Sequence, residues 1–453
     1  MEKDDDLDKT SLFGGMRRMI KSTTTVGGIA ARLAGEKMGI PVNKAAHAED
    51  LKNALGGLKG PIMKVAQLLS TIPNVLPEEY ADELANLQSN APPMGWSFVR
   101  RRMKAELGAN WEQHFTKFSQ EAAAAASLGQ VHRATLPNGK EVACKLQYPD
   151  MASSVESDLK QLNLLIAIYH RLDNAIKQDE VYKELVTRIQ EELDYKREAA
   201  NIRLFSLMLK DYDQTIVPNI VEELSTKRLL TMEWIEGQSL QKLIDSGLNQ
   251  ESRNEIARSL FCSWYVPFYH YGVIHGDPHM GNFLINSQNK LCLLDFGSIR
   301  IFDGKFVQGV IDLCRAIETH DDELAHHAYT SWGFKDISKE TMEILNEWAR
   351  YLYAPLTQDR ERFIQDSQDP AFARKLAEKV HKGLQRTGGI TPPREFVLID
   401  RSAIGLGSIS TKLHAKLNWH NLFQEMVEGF NQDKMNQDQA RALAEAKVPP
   451  PLQ

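Results

Sequence analysis

The segment HGDPHMGNFLINSQNKLCLLDFGSIR, residues 275–300, limits the fold of this chain more than any other stretch. It places Asp277 and Asn282 in a loop, continues through the apolar runs FLI and LCLLDF separated by the turn-like NSQNK, and ends on Asp295-Phe296-Gly297. A hairpin of this kind brings Asp277, Asn282 and Asp295 close to one point. Two carboxylates and an amide oxygen form a hard-oxygen set, suited to a Mg²⁺ ion that shares its shell with nucleotide phosphates. Phosphoryl transfer also needs a carboxylate to orient the attacking hydroxyl or water, and Asp277 is the candidate. Each Asp alone is also a common turn residue. In this order, with strand-like runs between them, the three point to phosphate chemistry.

The chain has 453 residues, more than one core usually holds, so at least two packed units are expected. A formal net charge of −6 argues against a nucleic-acid partner. Cys144, Cys262, Cys292 and Cys314 are scattered without a Cys-x-x-Cys, which suits buried apolar fillers in a reducing compartment. No apolar run is long enough to span a bilayer, and the acidic start MEKDDDLDKT fits neither a signal nor a transit peptide. A cytoplasmic chain is expected, in solution or peripheral at the inner face of a membrane. GGMRRMIKSTTTVGGIAARLAGEKMGI has the spacing of a helix that could lie on anionic lipid or pack on a partner.

Periodicity divides the chain further. Residues 1–43 read as a mobile or amphipathic segment and 44–118 as a helical extension. A small strand-rich lobe spans 119–236, a large helical lobe 237–435 and a mobile tail 436–453. Strands in the small lobe meet at LPNGKE, whose Asn-Gly favours a hairpin. Lys145, on the second strand, occupies the place where kinases carry the lysine for the α and β phosphates. Glu192 and Glu198, in RIQEELDYKREAANI, are both candidates to hold it. Where kinases carry a glycine-rich loop this chain has five alanines, Ala122 to Ala126, so a stiffer, partly helical loop is expected. TMEWIEG, between the lobes, is the candidate hinge, seating adenine on backbone around Glu233 to Ile235.

KVAQ at Lys64 to Gln67, AAAAASLGQVH, VACKLQYP, EELDYKREAANI, HGDPHMGN and LLDFGSIR together resemble the UbiB (AarF-type) family of atypical kinase-like proteins. That family includes proteins supporting coenzyme Q (ubiquinone) biosynthesis. The motifs run from Lys64 to Arg300, and PPREFVLIDRSAIGLGS resembles the family's C-terminal segment. The resemblance implies an α+β, two-lobed, protein-kinase-like fold with the helical extension packed over the cleft, and ATP (or ADP) with Mg²⁺ as cofactors. Carried onto this chain, it makes Lys145 the nucleotide lysine, Glu198 its usual partner, Asp277 the catalytic carboxylate, and Asn282 and Asp295 the metal positions. Ala124, Ala125, Ala126 and Ser127 fall in the alanine-rich loop over the phosphates. Lys64 and Gln67 reach the site near Glu192 and Asp194. This chain departs from the family's Lys-x-Gly-Gln pattern by carrying Ala66 at the glycine position.

Gly276 replaces the arginine of the ordinary kinase catalytic loop. After Gly297 the chain enters a helical pattern with no long loop and no Ala-Pro-Glu. Both features disfavour a protein substrate. The reading is therefore an ATPase or a small-molecule or lipid kinase supporting ubiquinone biosynthesis. A small-molecule or lipid-like ligand, coenzyme Q biosynthesis proteins and an anionic membrane surface are the expected partners. A nucleotide-sensing pseudokinase module and an aminoglycoside- or choline-type phosphotransferase stand as alternatives.

Overall fold

The computed structural model describes residues 93–126, 128–149, 151, 187, 190–335, 337–365, 370–388, 390 and 394–450. Lys64, Ala66, Gln67 and Ser127, the expected segment 1–43 and most of the expected extension lie outside them. Two compact units divide the chain. One comprises Met1–Pro93, Ala125–Gly129 and Tyr148–Asp173; within it the Tyr148 N–H donates to the Leu128 carbonyl at 3.0 Å. The other comprises Met94–Ala124, Gln130–Gln147 and Asn174–Gln453 and carries the candidate chemistry.

The second unit begins with helix α1 (Trp96–Leu107), which buries Phe98, Val99 and Met103. Arg102 of α1 is also buried; its Nε donates to the Gln147 carbonyl at 3.0 Å and its Nη1 meets Glu106 at 3.3 Å. Strands β1 (Lys117–Phe118), β2 (Ala124–Ala126), β3 (Gly129–Thr135) and β4 (Glu141–Gln147) follow. After helix α2 (Tyr195–Met208) and strand β5 (Thr215–Ile216), β6 (Leu229–Glu233) completes a sheet of order β1-β3-β4-β6, with β2 on β3. The expected β3–β4 hairpin forms, and Gly139 at φ 81 makes the turn at LPNGKE.

The alanine run departs from expectation. Ala124–Ala126 is extended, and the Ala123 N–H bonds to the Val131 carbonyl at 2.8 Å. Pairing with β3 outweighs alanine's helix propensity, which is a weak preference over so short a run.

Beyond β7 (Gln238–Ser239) the chain is mainly helical. Helix α3 (Gln250–Tyr271) is capped by the Asn249 side chain and leads into β8 (Val273–His275). Strands β9 (Phe283–Ile285) and β10 (Leu291–Leu293) form the expected antiparallel hairpin in a sheet of order β5-β10-β9-β7, and β11 (Ile299–Ile301) pairs with β8. Helices α4 (Gly304–Thr319), α5 (Asp322–Ser331), α6 (Lys339–Tyr353), α7 (Pro370–Arg386) and α8 (Arg394–Leu413) follow, then α9 (Trp419–Val427) and α10 (Gln432–Ala446).

Phe205, Trp264, Phe268, Phe283 and Phe296 are buried in one continuous core that reaches both the strand-rich and the helical parts. Truncating such a ring costs about 3–5 kcal/mol, so this core fixes α2 against the hairpin. Three of the cysteines, Cys144, Cys292 and Cys314, are buried as expected and Cys262 is partly so; all four are free thiols.

The expected mobile tail from 436 begins inside α10. Met435, Ala442 and Ala446 are buried, and the Arg203 Nε donates to the Ala446 carbonyl at 3.1 Å. Arg197 donates to the carbonyls of Pro449 and Pro450 at 3.0 and 2.6 Å. Small apolar residues at helical spacing and two arginines of α2 give this segment the anchorage that its proline-rich end lacks by itself.

Candidate active site

Strand β4 presents Lys145 towards helix α2. The Lys145 Nζ lies 2.7 and 3.0 Å from the two carboxylate oxygens of Glu198, and 3.1 Å from Asp295 Oδ2. It also stands 5.2 Å from the centre of the Tyr195 ring, a cation–π contact. The sequence left Glu192 and Glu198 open as partners; the structure selects Glu198.

The reason is a break in the helix that a straight projection does not contain. Residues 190–192 are helical, the chain turns at Leu193, and Asp194 starts α2 as its N-cap, accepting from the Lys196 N–H at 3.1 Å. Gln147 Nε2 pins the turn through the Leu193 carbonyl at 3.0 Å. Glu198 then falls in the first turn of α2 and is 2% exposed. Glu192 is also buried and stays beside the site: a Cβ built on Gly297 would lie 3.3 Å from Glu192 Cγ and 3.4 Å from Asp295 Oδ1.

Burial works to lower the Lys145 pKa, but Asp295 and then Glu198 outweigh it and hold the amine well above its usual value. Burial raises the Glu198 carboxyl, against the opposing pull of Lys145. One amine thus faces two carboxylates. The surplus negative charge at Asp295, the more exposed of the two, suits a cation.

The loop after β8 holds the other half. The Asp277 N–H donates to His275 Nδ1 at 3.2 Å, so that nitrogen carries the lone pair and His275 Nε2 carries the proton donated to the Asp295 carbonyl at 2.6 Å. One buried imidazole therefore ties the Asp277 loop to Asp295-Phe296-Gly297. Asn282 Nδ2 donates to the Asp277 carbonyl at 3.0 Å and to Asp277 Oδ2 at 3.2 Å, which leaves its Oδ1 as the oxygen it can offer to a cation. The Asn282 carbonyl accepts from the Leu294 N–H at 2.9 Å, setting Asn282 beside the backbone that leads into Asp295.

Phe296 locks these parts to α2. Its ring lies 5.3 Å from Phe205 and 5.9 Å from His275, its N–H reaches Glu198 Oε1 at 3.4 Å, and its carbonyl accepts from Asn201 Nδ2 at 2.8 Å. Asn201 and Tyr195 were not singled out from the sequence. Both flank Glu198 at helical spacing, at i+3 and i−3, and that was the available signal.

The remaining expected residues are less concentrated. Ala124 and Ala125 are exposed on β2. The Glu233 N–H and side chain both meet Asn219, at 2.8 Å to its carbonyl and 2.7 Å from its Nδ2, so the acidic group of the hinge is engaged outside the Lys145 cluster. The Trp234 N–H donates to the Glu141 carbonyl at 3.0 Å, which continues the β4–β6 pairing one residue past Glu233. His279 accepts from the Gly281 N–H at 3.1 Å. Among the described residues no group of three or more His, Cys, Asp or Glu is arranged to hold a metal ion, and no helix is long and apolar enough to cross a membrane.

Residues 86–328 match the ABC1 atypical kinase-like domain. The chain is 28% identical over 413 residues to the atypical kinase COQ8B, mitochondrial, of Danio rerio, covering 88% of this chain and 64% of that protein. It is 30% identical over 390 residues to the atypical kinase COQ8, mitochondrial, of Saccharomyces cerevisiae, covering 83% of this chain and 75% of that one. It thus spans less than two thirds of the zebrafish relative. Among solved structures, Rv3197 of Mycobacterium tuberculosis in complex with erythromycin superposes with a TM-score of 0.58 at 28% identity, over 88% of this chain and 99% of that one. A domain match across more than half of the chain, and an α+β kinase-like architecture shared with that structure, make this protein a member of the ABC1 (UbiB) atypical kinase-like family.

Proposed function

We propose that the protein binds ATP or ADP with Mg²⁺ and acts as an ATPase or a small-molecule or lipid kinase in support of ubiquinone biosynthesis. The observation that carries this reading is the convergence of the Glu198 and Asp295 carboxylates within 3.1 Å of the Lys145 amine. The donor set fits the ion: Asn282 Oδ1 and an Asp295 oxygen are hard ligands, few enough that phosphate and water complete the shell. Mg²⁺ held there supplies charge neutralisation at the phosphate oxygens.

Lys145, fixed by Glu198, pairs with the α and β phosphates. Asp277, oriented through its N–H by His275 and through Oδ2 by Asn282, holds the attacking water or hydroxyl in line. The family resemblance gives the alanine-rich loop, Ala124 to Ser127, the phosphate-covering role, and backbone at Glu233 to Ile235 seats the adenine. Lys64, Gln67, Glu192 and Asp194 take the nucleotide-proximal roles that the family resemblance gives them.

The M. tuberculosis relative was solved with erythromycin, and the zebrafish and yeast relatives are named mitochondrial atypical kinases. The first relation supports a small-molecule ligand. A lipid-like ligand, coenzyme Q biosynthesis proteins as partners and a peripheral position at the inner face of a membrane rest on the family resemblance and on the helical spacing of GGMRRMIKSTTTVGGIAARLAGEKMGI. The test is phosphate release from ATP by purified protein, with and without Mg²⁺ and with and without anionic vesicles. Release is expected only with Mg²⁺, rising with vesicles, and lost in Asp277→Asn. Mg²⁺-independent release, or full release by Asp277→Asn, contradicts the reading.

A further inference from the structure

Helix α8 reaches the Asp277 loop from behind. A Cβ built on Gly405 would lie 2.4 Å from Cγ of Pro278, with Pro278 Cβ at 3.3 Å and its carbonyl oxygen at 3.5 Å. Pro278 directly follows Asp277, and its ring has no rotamer by which to step aside. One helical turn earlier, the fully buried Ser402 donates from Oγ to the His275 carbonyl at 3.3 Å. The same carbonyl accepts from Trp264 Nε1 at 2.8 Å. The helix therefore touches the loop on both sides of Asp277, at the residue two before it and the residue after it.

We propose that Gly405 and Ser402 are positioning residues for Asp277: the absence of a side chain at Gly405 lets α8 seat Pro278, and Ser402 holds His275, so that the helix sets where the carboxylate points. This rests on the reading of Asp277 as the group that orients the attacking water or hydroxyl. Moving Pro278 from 2.4 Å to ordinary van der Waals distance requires a shift of about 1 Å, and a misplacement of that size lowers turnover by about 10²-fold when geometry governs the step.

The test compares Gly405→Ala, Pro278→Ala, the double variant and Ser402→Ala in the full chain. Gly405→Ala is expected to lower kcat for Mg²⁺-dependent phosphate release by about 10²-fold, with nucleotide affinity within about twofold of wild type. Pro278→Ala removes the atom that collides, so the double variant is expected within about threefold of Pro278→Ala alone, a non-additive restoration. Ser402→Ala introduces no collision and is expected to lower kcat by about threefold to tenfold. Hydrogen exchange over residues 276–282 is measured on the same proteins. It is expected to quicken in Gly405→Ala and Ser402→Ala and to return in the double variant to the rate of Pro278→Ala.

Exchange reads the loop without turnover. Absence of phosphate release by the wild type would overturn the role of Asp277, while unchanged exchange in Gly405→Ala would overturn the positioning. If Gly405→Ala fails to fold, a folded double variant supports the contact and an unfolded one overturns it. Equal losses in Gly405→Ala and the double variant, measured against Pro278→Ala, also overturn it.

Discussion

Asp295 and Asp277 sit in one site but are held by different physics. Asp295 belongs to a charge-held half, in which a buried amine is shared between it and Glu198. Asp277 belongs to a shape-held half, fixed by His275, by Asn282 and by the packing of α8. Removing one partner of a buried ion pair leaves an uncompensated charge, whereas loosening a hydrogen-bonded loop misplaces a group with little loss of folding energy. Stability and chemistry should therefore separate between the two halves.

The largest test of that separation is Lys145→Met. It leaves Glu198 buried without its cation, and a loss of roughly 3–5 kcal/mol is expected in chemical denaturation. A loss below about 1 kcal/mol would place both carboxylates in the same category as Asp277. On the other half, Asp277→Asn keeps an acceptor for Asn282. It is expected to cost under about 1 kcal/mol of stability while phosphate release falls by at least about 10²-fold. Denaturation and turnover measured on one preparation decide whether the halves differ.

Smaller effects sharpen the comparison. Helix α2, which carries Glu198, is tied to the C-terminal segment by Arg197, whose guanidinium donates to Pro449 and Pro450. Arg197→Ala is expected to cost about 1.5–3 kcal/mol and to quicken exchange along α2 while leaving residues 276–282 unchanged. Equal changes in both segments would mean that the halves move as one.

The smallest effect is a dependence on pH at His132. Buried in β3, its ring accepts from Gln130 Nε2 at 2.8 Å and donates from Nδ1 to the Ser119 carbonyl at 2.9 Å. Gln130 is held in that orientation because its Oε1 accepts from the Met94 N–H at 2.7 Å and its Nε2 also meets the Met94 carbonyl at 3.1 Å. Burial lowers the His132 pKa, only partly offset by the Ser119 contact. Below about pH 6.5 the unfolded chain takes a proton that the folded one refuses, so stability falls with pH there, by at most about 1.4 kcal/mol per unit. His132→Gln should flatten that slope in urea melts between pH 5 and 7; an unchanged slope would show that the ring titrates freely.

Much of this site could be read along the chain because its parts are local. Asp277, Asn282 and the β9–β10 hairpin lie within a short stretch, and two apolar runs separated by turn residues are enough to predict the hairpin. The choice between Glu198 and Glu192 was not legible, because it depends on Gln147, a distant residue, breaking the helix at Leu193. The extended alanine run depends likewise on its partner strand. The anchorage of residues 432–450 comes partly from arginines of α2, which no local pattern reveals. Pro278 and Gly405 are 127 positions apart in sequence and meet only through the packing of α8.

The central claim is tested most directly by calorimetric titration of ADP into wild type and Asp295→Asn, with and without Mg²⁺. Wild type should bind more tightly with the ion, and Asp295→Asn should bind with the same affinity in both conditions. An undiminished gain from Mg²⁺ in Asp295→Asn would contradict the account.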